Sequence, residues 1–231
     1  FVNSGVDTTM GLIQVPEFYE AIQETQQRTG RKIIVVSTPY IPATPETATK
    51  GFDLGEVERI LDLEVKAGAT FCMPHTSITD VMLDKCTREI RHMEPVIKMI
   101  RDRGMHPGFS THVPETIIYA DENNMDINSY ISIFNSMGFL MQLEVDWTQQ
   151  IILNSKKPVM TIKPMGAGHI RPLQAFTFVW NAIRDQGMVT VGTMSPYEAA
   201  ECVELSMGIL ERRKPDIKLQ ETRSKKTVKS K

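Results

Sequence analysis

The chain has 231 residues, of which 41% are hydrophobic and 23% are charged, and its formal net charge is −2. This balance is ordinary for a globular protein with one sizeable core, and it excludes a wholly disordered chain. The near-neutral charge gives no reason to expect a nucleic-acid or membrane surface, and no apolar run approaches the roughly 20 residues that span a bilayer. We therefore expect a protein that binds a small-molecule substrate, with its oligomeric state left open.

The three cysteines, Cys72, Cys86 and Cys202, have no CxxC spacing and lie in apolar or helical contexts. An odd number without a pairing pattern predicts reduced core thiols in a cytoplasmic protein. The chain starts with Phe1 rather than methionine, so we expect that a segment upstream is missing.

Strand-like and helical runs alternate along the chain. Pro16 and Gly30 mark the start and end of the first helix, and the β-branched run from Ile33 to Val36 is typical of a strand covered on both faces. Strands are predicted over residues 2–9, 32–38, 70–75, 105–112, 128–135, 159–163 and 188–192. Helices are predicted over residues 16–30, 53–67, 84–103, 114–123, 140–153, 173–184 and 196–213, and the helix over 84–103 is expected to be interrupted or to restart near Pro95.

This alternation predicts an α/β fold with a parallel sheet and helical crossovers. A TIM-type (β/α)8 barrel is favoured over an open doubly wound sheet, because no GxGxxG follows the first strand and polar groups end nearly every strand. The visible units are one short of eight, so either the first strand is absent from this chain or the barrel is incomplete. We expect one barrel domain over residues 1–214 and a basic, flexible tail over 215–231.

Four polar residues at predicted strand ends are candidates for catalysis: Asp7, His75, His112 and Lys163. In a barrel the carboxyl ends of the strands surround one mouth, so these residues are expected to converge. His75 is suited to acid–base catalysis or to donating a hydrogen bond to a carbonyl oxygen; the alternative is a satisfied buried histidine.

Lys163 has two alternative roles. It could form a Schiff base or pair with a substrate anion, or it could simply be ion-paired with Asp7 or Glu144. A metal held by Asp7, His75 and His112 is a further hypothesis, but no HxH or HExxH spacing supports it, and we predict no metal site.

Two neighbouring features are suited to an anion. The segment from Gly166 to Gly168 allows close backbone approach, and Ser195, Pro196 and Glu198 have the spacing of a capping box at a helix start. Backbone N–H groups at helix starts attract anions, and the last loops of barrels commonly bind phosphate. The two features together predict a phosphate-bearing ligand, although the capping box alone would mean only a well-started helix.

The order of the strand ends resembles the aldo-keto reductase superfamily, particularly its divergent prokaryotic branches. GVDTT at 5–9 is similar to the family's strand with the catalytic aspartate, TFCMPH at 70–75 to the strand with the catalytic histidine, and GFSTH at 108–112 to the G-V-S-N strand. IFN at 133–135, KPMGAG at 163–168 and VGTMSPYE at 191–198 resemble the later strand ends and the helix that receives the cofactor phosphates.

The resemblance implies an eight-stranded barrel, with NADP or NAD lying across the carboxyl mouth. It also implies the following cofactor-binding residues: Ser110, Thr111, Asn135, Gly166, Gly168, Gly192, Thr193 and Ser195. The family's catalytic tyrosine and lysine positions fall on Leu12 and Pro39, so only Asp7 and His75 match, and Tyr40 is a possible substitute.

Three functional hypotheses follow. The first is a divergent, NAD(P)-linked oxidoreductase acting on a small carbonyl or sugar-like substrate. The second keeps the barrel and gives it cofactor-independent or metal-assisted lyase or isomerase chemistry through Asp7, His75, His112 and Lys163. The third is a non-catalytic, ligand-binding barrel, because a fold does not fix a function.

Overall fold

The computed structural model describes residues 1–44 and 46–217, which form a curled parallel sheet flanked by helices. The strands are β1 (Thr8–Gly11), β2 (Ile34–Ser37), β3 (Phe71–Cys72), β4 (Leu83–Asp84), β5 (Glu89–Ile90), β6 (His106–Thr111), β7 (Ser129–Ile133), β8 (Val159–Ile162) and β9 (Met188–Val189). The α-helices are α1 (Pro16–Thr29), α2 (Thr47–Lys50), α3 (Leu54–Lys66), α4 (Thr76–Met82), α5 (Met93–Asp102), α6 (Glu115–Glu122), α7 (Val145–Asn154), α8 (Pro172–Ala182) and α9 (Pro196–Leu210).

Seven strands form the sheet in the order β1-β2-β3-β6-β7-β8-β9, and every neighbouring pair is parallel. Parallel neighbours need long crossovers, which here carry the helices. The sheet is a half-barrel, consistent with a TIM-type barrel that lacks part of its strands, so the predicted fold class is confirmed. β4 and β5 form a separate antiparallel hairpin.

Side chains alternate between the two faces of the sheet and pack into hydrophobic clusters on both. The inner face carries Val36, Ile131 and Met160 from the strands and Met73, which directly follows β3. The outer face packs against the helices through large side chains such as Phe109 and Phe176. The sheet is therefore apolar on both faces, as its β-branched runs predict.

Gly108 allows β6 to pack closely against β7 and the inner-face cluster. A Cβ atom there would collide with Met73 Cε on the inner face and with the backbone oxygen of Ser129 on β7. Only a residue without a side chain lets the two strands pair at this point, and the strand continues from it to the mouth.

The outer core also buries the carboxyl group of a glutamate. Glu64 of α3 is fully buried, and Ser37 Oγ donates a hydrogen bond to its Oε2. Burial raises the pKa of Glu64, opposed by the hydrogen bonds from Ser37 and Gln14. The protonated form is thus favoured relative to a solvated glutamate.

Two of the predicted elements, the strand over 2–9 and the helix over 84–103, have the wrong bounds. The strand predicted over 2–9 starts only at Thr8, because Val2–Ser4 forms a 3₁₀ turn that ends at Gly5 with φ of 90°. Asp7 therefore lies at the amino end of β1. The helix predicted over 84–103 begins only at Met93, because the residues before it form the β4–β5 hairpin. The Asp84 carboxylate accepts the N–H groups of Cys86 and Thr87 in the turn of this hairpin.

Cys86 in that turn is exposed, so the prediction of three core thiols holds only for Cys72 and Cys202. Of the predicted tail, residues 218–231 lie outside the described part of the chain. Within residues 1–44 and 46–217, no helix has both the length and the apolar character needed to cross a membrane.

The two edge strands, β1 and β9, border an open groove that we call the seam. It has a volume of about 800 Å³. Its wall includes the inner-face side chains Met10 and Met188, together with Ile22 of α1 and Met207 of α9. The seam is where the half-barrel does not close.

Candidate functional site

Four titratable side chains meet at the carboxyl end of the sheet, and we call them the mouth cluster: His75, Asp80, His112 and Lys163. His75 follows β3, His112 follows β6 and Lys163 follows β8, whereas Asp80 belongs to α4. Parallel strands bring their carboxyl ends to one edge, which is where (β/α) barrels place catalytic groups.

The central contact of the mouth cluster joins two bases. Lys163 Nζ lies 3.1 Å from His112 Nε2, although the two residues are 51 positions apart. Lys163 is the first residue after β8 and has a left-handed backbone with φ of 57°. Such a conformation costs a residue with a side chain roughly 1–2 kcal/mol, and strain of this kind clusters at functional sites.

The surroundings favour the uncharged forms of both groups. Burial lowers the pKa of His112, and the positive charge of Lys163 and the neighbouring His75 lower it further, while Asp80 raises it. Burial also lowers the pKa of Lys163. A neutral amine and a neutral imidazole are therefore more accessible here than on a protein surface, which is what nucleophilic and general-base catalysis require.

Asp80 holds the backbone of His112 in place. Its Oδ2 accepts the His112 N–H at 3.1 Å and the Thr76 hydroxyl at 2.7 Å, and its Oδ1 accepts the Thr111 hydroxyl at 2.5 Å. Thr76 Oγ1 also accepts the His112 N–H at 3.1 Å. The first turn of α4 is thus tied to the end of β6.

His75 caps the start of α4. Its Nδ1 accepts the Ser77 N–H at 3.2 Å and lies 2.8 Å from Ser77 Oγ. A neutral ring that accepts this N–H carries its proton on Nε2. The His75 N–H donates to the backbone oxygen of Pro39, which fixes the histidine against the loop after β2. Tyr40, the next residue of that loop, is 53% exposed.

Asp7 does not join the mouth cluster. It is exposed at the amino end of β1, where its carboxylate accepts the Thr8 hydroxyl. The ion pair of Lys163 with Asp7 or Glu144 is absent from the described part of the chain, because no carboxylate there lies within 4.0 Å of Lys163 Nζ. Nor do residues 1–44 and 46–217 contain three or more His, Cys, Asp or Glu side chains grouped to hold a metal ion.

The predicted cofactor residues of β6 and β7 differ in their orientation. Thr111 shares the outer face with Phe109, and its hydroxyl contacts Asp80, Val113 and Thr116. Ser110 alternates with it on the inner face and is 5% exposed. Asn135 accepts the N–H groups of Met137 and Phe139 and donates to Phe139, so its side chain shapes the loop after β7.

In the turn from Gly166 to Gly168, the N–H groups of both glycines donate to backbone oxygens just before them in the chain. Gly166 donates to Lys163 and Gly168 donates to Met165, both at 3.0 Å. Gly168 has φ of 86°, and Ala167 beside it is also left-handed. The turn thus stabilises its own fold after β8, and its donors do not point to an open anion site.

The helix start at α9 has the predicted capping box, with one difference. Ser195 Oγ accepts the Glu198 N–H at 3.2 Å, and Glu198 Oε2 accepts the N–H of Met194 at 2.7 Å. Gly192 is exposed and Thr193 is partly exposed just before it. The Glu198 carboxylate thus occupies the Met194 N–H, in the same S-P-x-E spacing that carries the resemblance.

Sequence reasoning missed Asp80 and its partner Thr76. Both lie between the predicted strand 70–75 and the predicted helix from 84, in a segment without an assigned element. The signal was present: Pro74-His75 precedes Ile78, Thr79 and Met82, whose spacing fits a short helix with one buried face.

Comparisons with known proteins support the fold and leave the family open. The sequence matches no family model and no curated protein. Two structures of a proposed aldo-keto reductase from Pseudomonas aeruginosa are similar to this chain with TM-scores of 0.62 and 0.63 and 13% identity. They cover 89% of this chain, which spans 76% and 78% of theirs.

A third structure, a fusion of a xylose isomerase-like TIM barrel with a 4-hydroxyphenylpyruvate dioxygenase, has a TM-score of 0.53 and 13% identity. It covers 94% of this chain, and this chain covers 42% of it. At such identities the likeness concerns the barrel fold and not the chemistry.

Proposed function

We propose that this chain is an enzyme that acts on the carbonyl group of a small molecule by proton transfer, as an isomerase or lyase, with Lys163 and His112 as its catalytic pair. The observation that carries the proposal is the 3.1 Å contact between Lys163 Nζ and His112 Nε2. It unites a nucleophile and a base whose pKa values are both lowered.

The pair supports a Schiff-base mechanism. The neutral amine of Lys163 adds to the carbonyl carbon, and the resulting carbinolamine loses water to give an imine. His112 Nε2 then takes the proton from the carbon next to the imine, which gives an enamine. In an isomerase this carbon regains a proton from the opposite face; in a lyase the enamine expels a hydroxyl group from the following carbon, which takes the His112 proton and leaves as water. Hydrolysis of the resulting imine consumes the one water released when the imine formed, releases the product and restores the amine.

His75 complements the pair from the neighbouring strand end. Its Nε2–H is the donor left free by the Ser77 contact, and a neutral imidazole can donate a hydrogen bond to the carbonyl oxygen. A small carbonyl or sugar-like compound would bring its oxygen towards His75 and its carbon towards Lys163.

Borohydride trapping tests the proposal directly. Glycolaldehyde and pyruvate serve as probes, and mass spectrometry of proteolytic peptides locates the reduced adduct. We expect an adduct on the Lys163 peptide, its loss in Lys163→Met and a slower reaction in His112→Gln. Lys50→Met is the matched control, because Lys50 is an exposed lysine paired with Glu46. No adduct at Lys163 with either probe, or one no faster than at Lys50, would overturn the proposal.

A second candidate is NAD(P)-linked reduction of a carbonyl. It is favoured by His75, which follows β3 as the catalytic histidine does in the resemblance to aldo-keto reductases, and by the name given to the Pseudomonas aeruginosa protein. Leu12 and Pro39, at the positions of the family's catalytic tyrosine and lysine, oppose it. Fluorescence titration with NADPH and NADH distinguishes the candidates. Saturable binding with a Kd below about 1 mM, the upper end of typical enzyme KM values, supports reduction. Absence of both binding and adduct would favour the non-catalytic interpretation.

A further inference from the structure

Asp80 is the one carboxylate among the four side chains of the mouth cluster, and it lies within α4. We infer that Asp80 is the positioning residue of the site: it fixes the end of β6 so that His112 meets Lys163, and its carboxylate supports the protonated form of His112. The catalytic consequence rests on the proposed function, whereas the effect on His112 does not.

The carboxylate of Asp80 links α4 to the end of β6 by hydrogen bonds, and we call these contacts the bracket. One carboxylate accepts donors from its own helix, through Thr76, and from the end of β6, through Thr111 and the His112 N–H. All three lie within 2.5–3.1 Å. Charged acceptors make hydrogen bonds roughly twice as strong as neutral ones, so the bracket fixes the last residues of β6.

Fixing that point matters because His112 is where β6 stops. Phe109 and Thr111 face the helices, and alternation directs the next side chain, His112, towards the inner face. A change in the backbone at residue 112 would rotate the imidazole away from Lys163, whose own position is set by a left-handed backbone.

The charge of Asp80 raises the pKa of His112, whereas the neighbouring Lys163 and His75 lower it. Three groups face His112: Lys163 from the end of β8, His75 from the start of α4, and Asp80 from within α4. The first two disfavour a proton on His112, and only Asp80 favours one. Because His112 must accept a proton in the proposed cycle, loss of this carboxylate would weaken it as a base.

An asparagine separates the charge from the hydrogen bonds. In Asp80→Asn the amide oxygen can still accept the Thr76 hydroxyl and the His112 N–H. Its amide N–H can donate to Thr111 Oγ1, which is free to turn its own proton to the Val113 oxygen at 2.9 Å. Asp80→Ala removes the charge and all three bonds.

The decisive measurement is the NMR titration of the His112 imidazole in the wild type, Asp80→Asn and Asp80→Ala. The matched control is Asp102→Asn, which removes an exposed carboxylate paired with Lys98 at the end of α5. We expect the pKa of His112 to fall in Asp80→Asn and to stay unchanged in Asp102→Asn. If Lys163 is trapped by borohydride, the acid limb of its pH profile shifts to lower pH in Asp80→Asn as well.

An unchanged or raised pKa of His112 in Asp80→Asn would overturn the inference. If Asp80→Ala does not fold, the asparagine variant still decides the question. Because the titration needs neither substrate nor activity, its result is independent of the trapping experiment: a shift of His112 without an adduct would retain the role of Asp80 and reject the Schiff base.

Discussion

The mouth and the seam are two openings of one sheet, and they differ in chemistry. The seam has a volume of about 800 Å³, and its wall is mainly apolar, with side chains such as Met10 and Met188. The mouth gathers His75, Asp80, His112 and Lys163. The apolar groove and this group of titratable side chains are therefore separate in the fold.

The physical origin of the two openings explains the difference. The seam arises because β1 and β9 are not paired with each other, which leaves inner-face side chains without a covering strand. The mouth arises because parallel strands end together and their following loops need polar caps. The seam is a packing feature, and the site is located from its titratable groups.

The largest expected effect is on folding stability, when each of two buried isoleucines is replaced by alanine. Ile131 is 1% exposed in the closed part of the inner core, and Ile22 is 4% exposed on the wall of the seam. Ile131→Ala should cost about 4–5 kcal/mol, and Ile22→Ala about 2–3 kcal/mol, because a closed cavity loses more contacts than one that opens to a groove. Urea unfolding measures both, and equal costs would show that the seam is as well packed as the closed core.

The pH dependence of stability tests the mouth. The pKa of His112 is lowered in the folded chain, so the unfolded chain binds its proton more tightly. The stability supported by a neutral His112 is complete above the ordinary histidine pKa of about 6.5 and is lost as the pH falls below it. The wild type should therefore lose more stability than His112→Gln between pH 7 and pH 5. Identical losses, measured by denaturant unfolding at each pH, would contradict the assigned burial.

Replacing each of two glycines near the mouth by alanine should have a smaller effect on stability. Gly168 has φ of 86°, whereas Gly192 has no positive φ, and a Cβ would meet no atom within 4 Å at either position. Gly168→Ala should destabilise the chain by about 1 kcal/mol through backbone strain alone, and Gly192→Ala by about zero. Thermal unfolding compares the two, and an equal effect would contradict the left-handed turn after β8.

The smallest expected effect concerns the seam itself. Met207 of α9 lines the seam and is 39% exposed. Met207→Ala should leave the rate of borohydride trapping at Lys163 within about twofold of the wild type, because residues without shared partners act independently. A large loss of trapping in a folded variant would show that the seam belongs to the active site.

The sheet was predictable from the sequence because its signal is periodic and repeated. Short apolar runs between amphipathic segments predicted the strands of the sheet, except that the first starts only at Thr8. Pro16 and Pro196 predicted two helix starts that the structure confirms. The strand ends at His75, His112 and Lys163 followed from this order. Their contact distances did not, because they depend on loop conformations such as the left-handed backbone at Lys163.

What the sequence did not predict has identifiable causes. Glu64 lies at helical spacing from Val57, Ile60 and Leu61 and is fully buried, but a carboxylate is expected in solvent. Asp7 was placed at the wrong end of β1 because its apolar flank resembled a strand. Asp80 was missed because α4 is only seven residues long and precedes a turn that periodicity does not detect.

The most direct test of the central claim is to follow Lys163 and His112 together by ¹⁵N NMR across a pH titration. The account predicts that both groups titrate below their usual ranges and that Lys163→Met raises the pKa of His112, since the lysine charge lowers it. If Lys163 titrates as a surface lysine and His112 is unaffected by the substitution, the two do not form a catalytic pair.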